Sequence, residues 1–482
     1  MNPEHSTPIF SSGRIDQWKP INPIVISPMG AEDFGRIASD YGLRLDTSET
    51  LLQVPVDKDC KATIRASVNE FVGPQLQTLL SFNNKRILSR IEGTKIHLLS
   101  LDLVAEYDRL VNGGLEDDPS TRFRLVSKFP LAYSIVPSSF RNWSLRRSLS
   151  TTGAQDERRG PVECLRAIFL ASLVAVSEKP IPRIAFWKPG KSFSMAITHD
   201  VETMSGLEVG TPQLLRVEKE LGVRSTWNIP SDRYPLSKQA LRTIADTGDI
   251  GAHDTAHDGR LILLPLAEKI SRADRAREKL ERLSQTKVRG FRAPLLQHSA
   301  ELLTAVGKAG YEFDSSVPSW EALSPTSLKP HGVGTVFPLQ LEGTWEVPVS
   351  LPQDHQLIRI QGLSTKEAVE QTSHIASWIR GLHGSCVLLV HPDYEYGFED
   401  NEKDYRHLID SFQNDSSCDI LTMKELLDWW TQRSHAEIQI VDGEPRIVSL
   451  EMTKTTEEVL EGPGLELVTG YDDEGFRVEG WR

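Results

Sequence analysis

Between Phe193 and Leu421 the chain alternates two hydrophobic patterns. Short apolar runs come first in each unit: FSMAIT (193–198), VRSTWNI (223–229), DIGAH (249–253), VRGFR (288–292), YEFDS (311–315), TWEVPV (344–349), CVLLVH (386–391) and CDIL (418–421). Runs this short, rich in β-branched and aromatic residues, predict buried strands. Longer stretches lie between them. Leu266, Ile270, Ala273, Leu280 and Leu283 recur at helical spacing with Arg, Lys and Glu opposite, and Ala368, Thr372, Ile375, Ile379 and Leu382 repeat the pattern. Residues 299–310 predict a short helix stopped by glycine. Strand–helix alternation implies a parallel sheet, and seven or eight such units favour a (β/α)7–8 barrel-like domain of the α/β class.

The flanks read differently. Residues 1–185 form an N-terminal α/β extension of unknown role, with a helical stretch expected around Ile87 to Leu110 among irregular segments. Ser148 to Gly160 is polar and turn-rich and reads as a loop, and Glu163 to Val176 as an apolar helix packed on a core. The barrel is expected over 186–433. Residues 434–482 read as a small β appendage: Asp442-Gly443 is a hairpin signal, and GLELV and FRVEG are further strand candidates.

Composition narrows the function classes. A net charge of −13, from 54 basic and 67 acidic residues, argues against nucleic acid as a partner. Cys60, Cys164, Cys386 and Cys418 lie far apart, which argues against a disulfide framework or a thiolate zinc site. The N-terminus lacks a basic start followed by an apolar core. The longest apolar stretch, Ala167 to Val176, is too short for a membrane span, so a cytoplasmic location is the expectation. Oligomeric state is not legible.

Five segments share one predicted address, the C-terminal ends of strands, where a parallel barrel collects its chemistry. Thr198-His-Asp200-Val-Glu202 puts two carboxylates two positions apart, and a metal hydrolase needs one as ligand and one as base. Gly251-Ala-His253-Asp-Thr-Ala-His257 sets two imidazoles four apart. Two neutral imidazoles with one carboxylate suit a divalent ion, Zn²⁺ foremost, with open coordination positions. In Gly290-Phe-Arg292-Ala-Pro294 the arginine can hold a catalytic carboxylate in place and keep it ionised. The segment 311–320 brings Asp314 and Trp320 beside the expected cleft, with the Trp face a wall for a sugar ring. His391 ends an apolar strand, where it could protonate a leaving group. Each has a commonplace reading alone, as a cap, a surface ion pair or core packing. Five in succession at one end of a barrel do not.

With these motifs the chain from Phe193 to Trp430 resembles the polysaccharide deacetylase family (NodB homology domain, carbohydrate esterase family 4). The resemblance implies Asp200 as catalytic base, Glu202, His253 and His257 as metal ligands, and Arg292 as the group orienting Asp200. It further implies the Leu295 backbone N–H as oxyanion donor and His391 as general acid, with Asp314, Trp320 and Pro294 as substrate contacts. Glu202 stands where the family has Asp, Asp254 replaces a Ser or Thr, and Leu295 replaces an aromatic residue. The expected activity is metal-dependent removal of acetyl groups from an N-acetylated sugar. Two alternatives stand beside it: a related C–N hydrolase acting on a non-sugar amide or cyclic ureide, and a non-catalytic sugar-binding or scaffold protein.

Overall fold

In the computed structural model of the chain, the described residues are 38–57, 59–116, 160–177, 183–321, 330–398 and 401–441. To these are added the strands Ile9–Ser11, Ile24–Ile26, Glu444–Thr453, Thr456–Leu460 and Leu467–Val468.

A nine-stranded sheet forms the centre. Every strand in it runs parallel except Leu339–Leu341, which pairs antiparallel with Thr344–Glu346. Each apolar run predicted as a strand contains one: Phe193–Asp200, Thr226–Ile229, Asp249–Ala252, Gly290–Phe291, Phe313–Asp314, Thr344–Glu346, Ser385–Val390 and Cys418–Leu421. The expected helices are also present, as Leu266–Ser284, Ala300–Lys308 and Thr365–Gly381. The last begins in a capping box between Ser364 and Glu367, which satisfies amides that the first turn leaves orphaned.

The first strand, Phe193–Asp200, is buried along its whole length and organises the sheet. Ser385–Val390 pairs with one edge. Cys418–Leu421 and Thr226–Ile229 share the other, beside its first and last residues respectively. The sheet curls until the segment after the sixth strand meets the seventh: the Leu351 N–H donates to the Val387 carbonyl at 3.2 Å. The Ser350 hydroxyl donates to the Ser385 carbonyl at 2.6 Å. The result is the barrel-like α/β architecture expected from the pattern.

The N-terminal part corrects one expectation. No helix runs from Ile87 to Leu110. That stretch is the strand Lys85–Ile91, the strand Ile96–Leu99 and a helix confined to Leu103–Val111. The reason is turn chemistry. Asn83 and Asn84 take left-handed φ of 49° and 61° and close a two-residue hairpin between Phe82 and Lys85. Gly93, at φ 73°, closes the next turn. The helix starts only where the Asp102 side chain accepts from the Ala105 N–H.

A long hairpin, Arg44–Asp57 with Cys60–Val72, packs its apolar face on the helix Pro161–Val176. Leu52, Ile64, Ile168 and barrel residues such as Ile379 and Trp430 belong to one hydrophobic cluster. Near the C-terminus Ala436–Val441, Glu444–Thr453 and Thr456–Leu460 form an antiparallel sheet. The Asp442-Gly443 turn, the FRVEG segment and residues 148–159 lie outside the described residues. Among the described residues no helix is long and apolar enough to cross a membrane.

Candidate metal centre

Strand register gathers the candidate residues. Asp200 pairs with Asn228, Ile229 with Ala252, Ala252 with Phe291, and Phe291 with Asp314. On the other side His199 pairs with Val390. The residues that follow these positions, His253, Arg292 and His391, therefore emerge at one end of the sheet with Asp200 and, just beyond it, Glu202.

Glu202, His253 and His257 each offer one donor atom, and these atoms lie within 4.8 Å of one another. The His253 Nδ1 lies 2.9 Å from the Arg292 carbonyl. A carbonyl only accepts, so Nδ1 carries the proton and Nε2 presents a lone pair. That Nε2 is buried and has no hydrogen-bond partner among the described residues. The His257 Nε2 is likewise buried without an aligned partner, though the Glu202 Oε1 lies 2.9 Å away. One unpartnered imidazole nitrogen, a second imidazole nitrogen and a carboxylate oxygen gathered within 4.8 Å fit a divalent ion with oxygen and nitrogen preference. Burial, the largest influence, brings the His253 pKa down to about 4, so the ring is neutral at pH 7. Burial would raise the Glu202 carboxyl, but His257, His391 and His253 outweigh it and hold the group well below its ordinary value.

The loop carrying the histidines is pinned from outside. Asp254 and His257 adopt left-handed φ of 64° and 50°. The Arg272 Nε donates to Asp254 Oδ1 at 2.6 Å and its Nη2 to Oδ2, and Nη2 also reaches Asp258 Oδ1 at 2.7 Å. The acid at 254, a departure from the family's Ser or Thr, thus has an assigned partner. On the opposite wall Asp393 accepts from the backbone N–H groups of Glu202 and Thr203 at 2.8 and 2.6 Å. The Tyr394 hydroxyl donates to Glu202 Oε2 at 2.8 Å. Such outer contacts fix the rotamer of a ligand.

Asp200 is buried beside this cluster, its Oδ2 3.8 Å from the His253 Nε2. Asp200 Oδ1 accepts from Asn228 Nδ2 at 2.8 Å and from Arg292 Nη1 at 3.1 Å. Burial would raise its pKa, but Arg292, then His253 and His391, keep it below the ordinary carboxylate range. Arg292 is itself fully buried, with Nε on the Ser315 carbonyl, Nη1 also on Thr198 Oγ1 and Nη2 on Ser315 Oγ.

Asn228 depends on a missing side chain. A Cβ at Gly251 would stand 2.1 Å from Asn228 Oδ1. Gly251→Ala therefore pushes the amide off Asp200. It is expected to lower the unfolding free energy by about 1–3 kcal/mol, as overpacking does in a close-packed core. Urea denaturation measures this, and an unchanged midpoint contradicts it.

His391 completes the cluster, its Nε2 4.0 Å from Glu202 Oε1. Its Nδ1 lies 2.7 Å from Asp354 Oδ1, and its backbone N–H donates to Asp354 Oδ2 at 2.8 Å. Burial disfavours the charged ring, yet Asp354 outweighs it and brings the His391 pKa up to about 10. Asp354 was not found in the sequence. It sits in a loop leading into the turn His355–Ile360, at no strand end. Tyr394 was also missed, and its only signal was its place three residues beyond His391.

The remaining sequence candidates stand as follows. Leu295 has a left-handed φ of 61° within the tight turn Pro294–Leu296, and Pro294 is buried at the start of that turn. Asp314 is buried and accepts from the Ser316 N–H and hydroxyl at 2.9 and 2.8 Å. It also faces Glu346 on the neighbouring strand. Burial raises both of these carboxyls, and the neighbouring Asp314 adds to the rise of Glu346. Trp320 is half-buried, and its indole N–H is enclosed without an acceptor among the described residues.

A curled parallel barrel with a His, His and carboxylate cluster at its C-terminal end defines a class of α/β barrels built around a candidate metal centre. Residues 188–313 match the polysaccharide deacetylase family model, and this part of the chain is a polysaccharide deacetylase domain. No curated protein matches the chain. Among solved structures the chain is similar to a Mycobacterium smegmatis protein assigned as a polysaccharide deacetylase, at 19% identity and TM-score 0.43, covering 52% of this chain and 92% of that one. It is similar to the Puue allantoinase at 13% identity and TM-score 0.41, covering 52% and 94%. Peptidoglycan deacetylase PdaC from Bacillus subtilis aligns at 15% identity and TM-score 0.35, covering 52% and 95%.

Proposed function

We propose that the barrel, taken as residues 186–433, is a metal-dependent hydrolase that removes acetyl groups from an N-acetylated sugar. The observation that carries this reading is the meeting of three donor atoms within 4.8 Å, two of them imidazole nitrogens, beside a second, ionised carboxylate. Packing alone gives no reason for the buried His253 Nε2 to be left unpaired beside two acids. The family match of residues 188–313 supports the deacetylase reading.

Glu202, His253 and His257 would hold the ion, Zn²⁺ being the first choice for this donor set. When bound, a divalent ion supplies Lewis acidity toward the acetyl carbonyl and makes water more acidic. Asp200 takes the proton of the attacking water, and Arg292 holds the carboxylate in the orientation that accepts it. The Leu295 N–H, set by its left-handed turn, donates to the developing oxyanion. His391, its Nε2 4.0 Å from Glu202, carries a proton and delivers it to the departing amine, while Asp354 holds the ring in place. Asp200 and His391 thus serve as base and acid beside the cluster.

The test is acetate release from chitooligosaccharides and peptidoglycan fragments, set against non-sugar amides and cyclic ureides. One acetate per new amine is expected, with turnover lost on dialysis against a chelator and restored by a divalent ion. Turnover that survives complete metal removal overturns the reading. Turnover confined to ureides moves the domain to the C–N hydrolase alternative. The N-terminal extension and the C-terminal sheet have no assigned role in this scheme.

A further inference from the structure

A second run of buried polar side chains crosses the same end of the barrel, outside the donor cluster. It begins at the turn that carries Leu295. Leu295 and Leu296 both have left-handed φ, 61° and 48°. Two successive leucines in that region are strained and persist only where the surroundings hold them. The His298 Nδ1 lies 2.8 Å from the Leu296 carbonyl. That carbonyl can only accept, so Nδ1 is the protonated nitrogen, and Nε2 of the neutral ring is an acceptor. The His331 Nδ1 stands 3.2 Å from it and supplies the donor. The two rings stack, 4.9 Å between centroids and 10° apart. The His331 Nε2 then faces Glu321 Oε2 at 3.4 Å. The other Glu321 oxygen accepts from the amides of Gln353 and Gln356, each at 2.8 Å. These glutamines flank Asp354, the acid that holds His391.

We propose that His298, His331 and Glu321 form a positioning relay that locks the Leu295–Leu296 turn to the Asp354 segment, so that oxyanion donor and general acid stand in one fixed register. The inference rests on the deacetylase reading of the neighbouring site. It is carried by a run of polar contacts, hydrogen bonds at every step except the 3.4 Å ion-pair approach of His331 to Glu321, whose two ends are the backbone of one catalytic loop and the flanks of the other. Burial, then His331, holds the His298 pKa down at about 3, in keeping with a neutral ring of fixed tautomer. Burial would raise Glu321, but His331 and the two glutamines hold it below its ordinary value. Donation runs from His331 through His298 to the Leu296 carbonyl on one side, while Glu321 accepts from Gln353 and Gln356 on the other.

The experiment compares wild type with His298→Phe, His298→Asn and Glu321→Gln, each loaded with Zn²⁺ and assayed for acetate release from the best substrate. His298→Phe keeps an aromatic ring and loses both hydrogen bonds. Its kcat is expected to fall by about 10- to 100-fold, the scale of a small misplacement of catalytic groups. KM and bound Zn²⁺ of the folded protein stay unchanged. His298→Asn restores a donor to the Leu296 carbonyl and is expected to recover part of the loss, with Glu321→Gln intermediate. If the Phe variant does not fold, the Asn variant carries the kinetic comparison. Nitrogen NMR of histidine-labelled wild type adds a direct readout: His298 is expected in the Nδ1–H form. A His298→Phe protein with wild-type kcat, kcat falling only together with lost Zn²⁺, or an Nε2–H His298 each overturns the relay. A wild type that releases acetate from nothing removes the deacetylase reading and the relay with it. An active wild type matched by His298→Phe removes the relay alone.

Discussion

Replacing Asp200 by Asn is expected to lower acetate release by about 10³-fold and to leave the domain folded and able to bind an ion. The amide keeps the shape of the carboxylate and can still accept from Asn228 and Arg292 through its oxygen. What it loses is the capacity to take a proton from water, and general base catalysis is worth roughly 10²- to 10⁴-fold. Asp200 lies outside the group of three donors, so ion binding is spared. Glu202→Gln is expected to show the opposite signature, with bound ion falling and turnover falling with it. The two variants therefore separate the base from the ligand, although the residues are only two apart in the chain. Calorimetric titration with Zn²⁺ and steady-state assays of both variants decide the matter. An Asp200→Asn enzyme that keeps more than about a tenth of wild-type kcat cannot have lost its base.

The barrel was legible because each of its strands is a short apolar run, and a strand buried on both faces has no other way to appear. The same feature made the chemistry legible. Where an apolar run ends in Asp200, His253, Arg292 or His391, the polar residue must sit at the strand's C-terminal end, and a parallel barrel brings all those ends together. Residues off the strand ends escaped notice. Asp354 reaches His391 from a loop, and Tyr394 reaches Glu202 across the site. Neither lies in a pattern that periodicity can report.

Asp314 illustrates a different limit. Its position at a strand end was readable, but the partner that occupies its carboxyl was not. Glu346 belongs to the next strand, and only the register of the sheet brings the two acids together. The N-terminal hairpin was hidden for a third reason. The first half of Arg44–Asp57 is largely exposed and shows little alternation, so the strand announces itself only where it meets the helix Pro161–Val176. Around Asn83-Asn84 the signal was present, since paired asparagines tolerate the left-handed conformation of a tight hairpin turn. The helical spacing of Ile87 to Leu110 masked it.

Arg292→Met is expected to lower the unfolding free energy by about 3–5 kcal/mol, the cost of removing one partner from a buried ion pair. The methionine fills most of the space but donates nothing. Four acceptors lose a donor at once: the Ser315 carbonyl, Ser315 Oγ, Thr198 Oγ1 and Asp200 Oδ1. Asp200 keeps Asn228 and the neighbouring His253, yet it loses the charge that does most to offset its burial. Its carboxyl pKa then rises, and the base is less available at neutral pH, so catalysis fails together with stability. The nearby Asp314–Glu346 pair feels the same loss, because Arg292 favours the ionised form of both. Arg292→Lys retains the charge without the planar fork and is expected to fall between the two. Urea unfolding of the three proteins at one pH gives the comparison. A loss below about 1 kcal/mol for the methionine variant would mean that the three strand ends joined by Arg292 are held by packing alone, and that the arginine is dispensable to the frame on which the proposed chemistry stands.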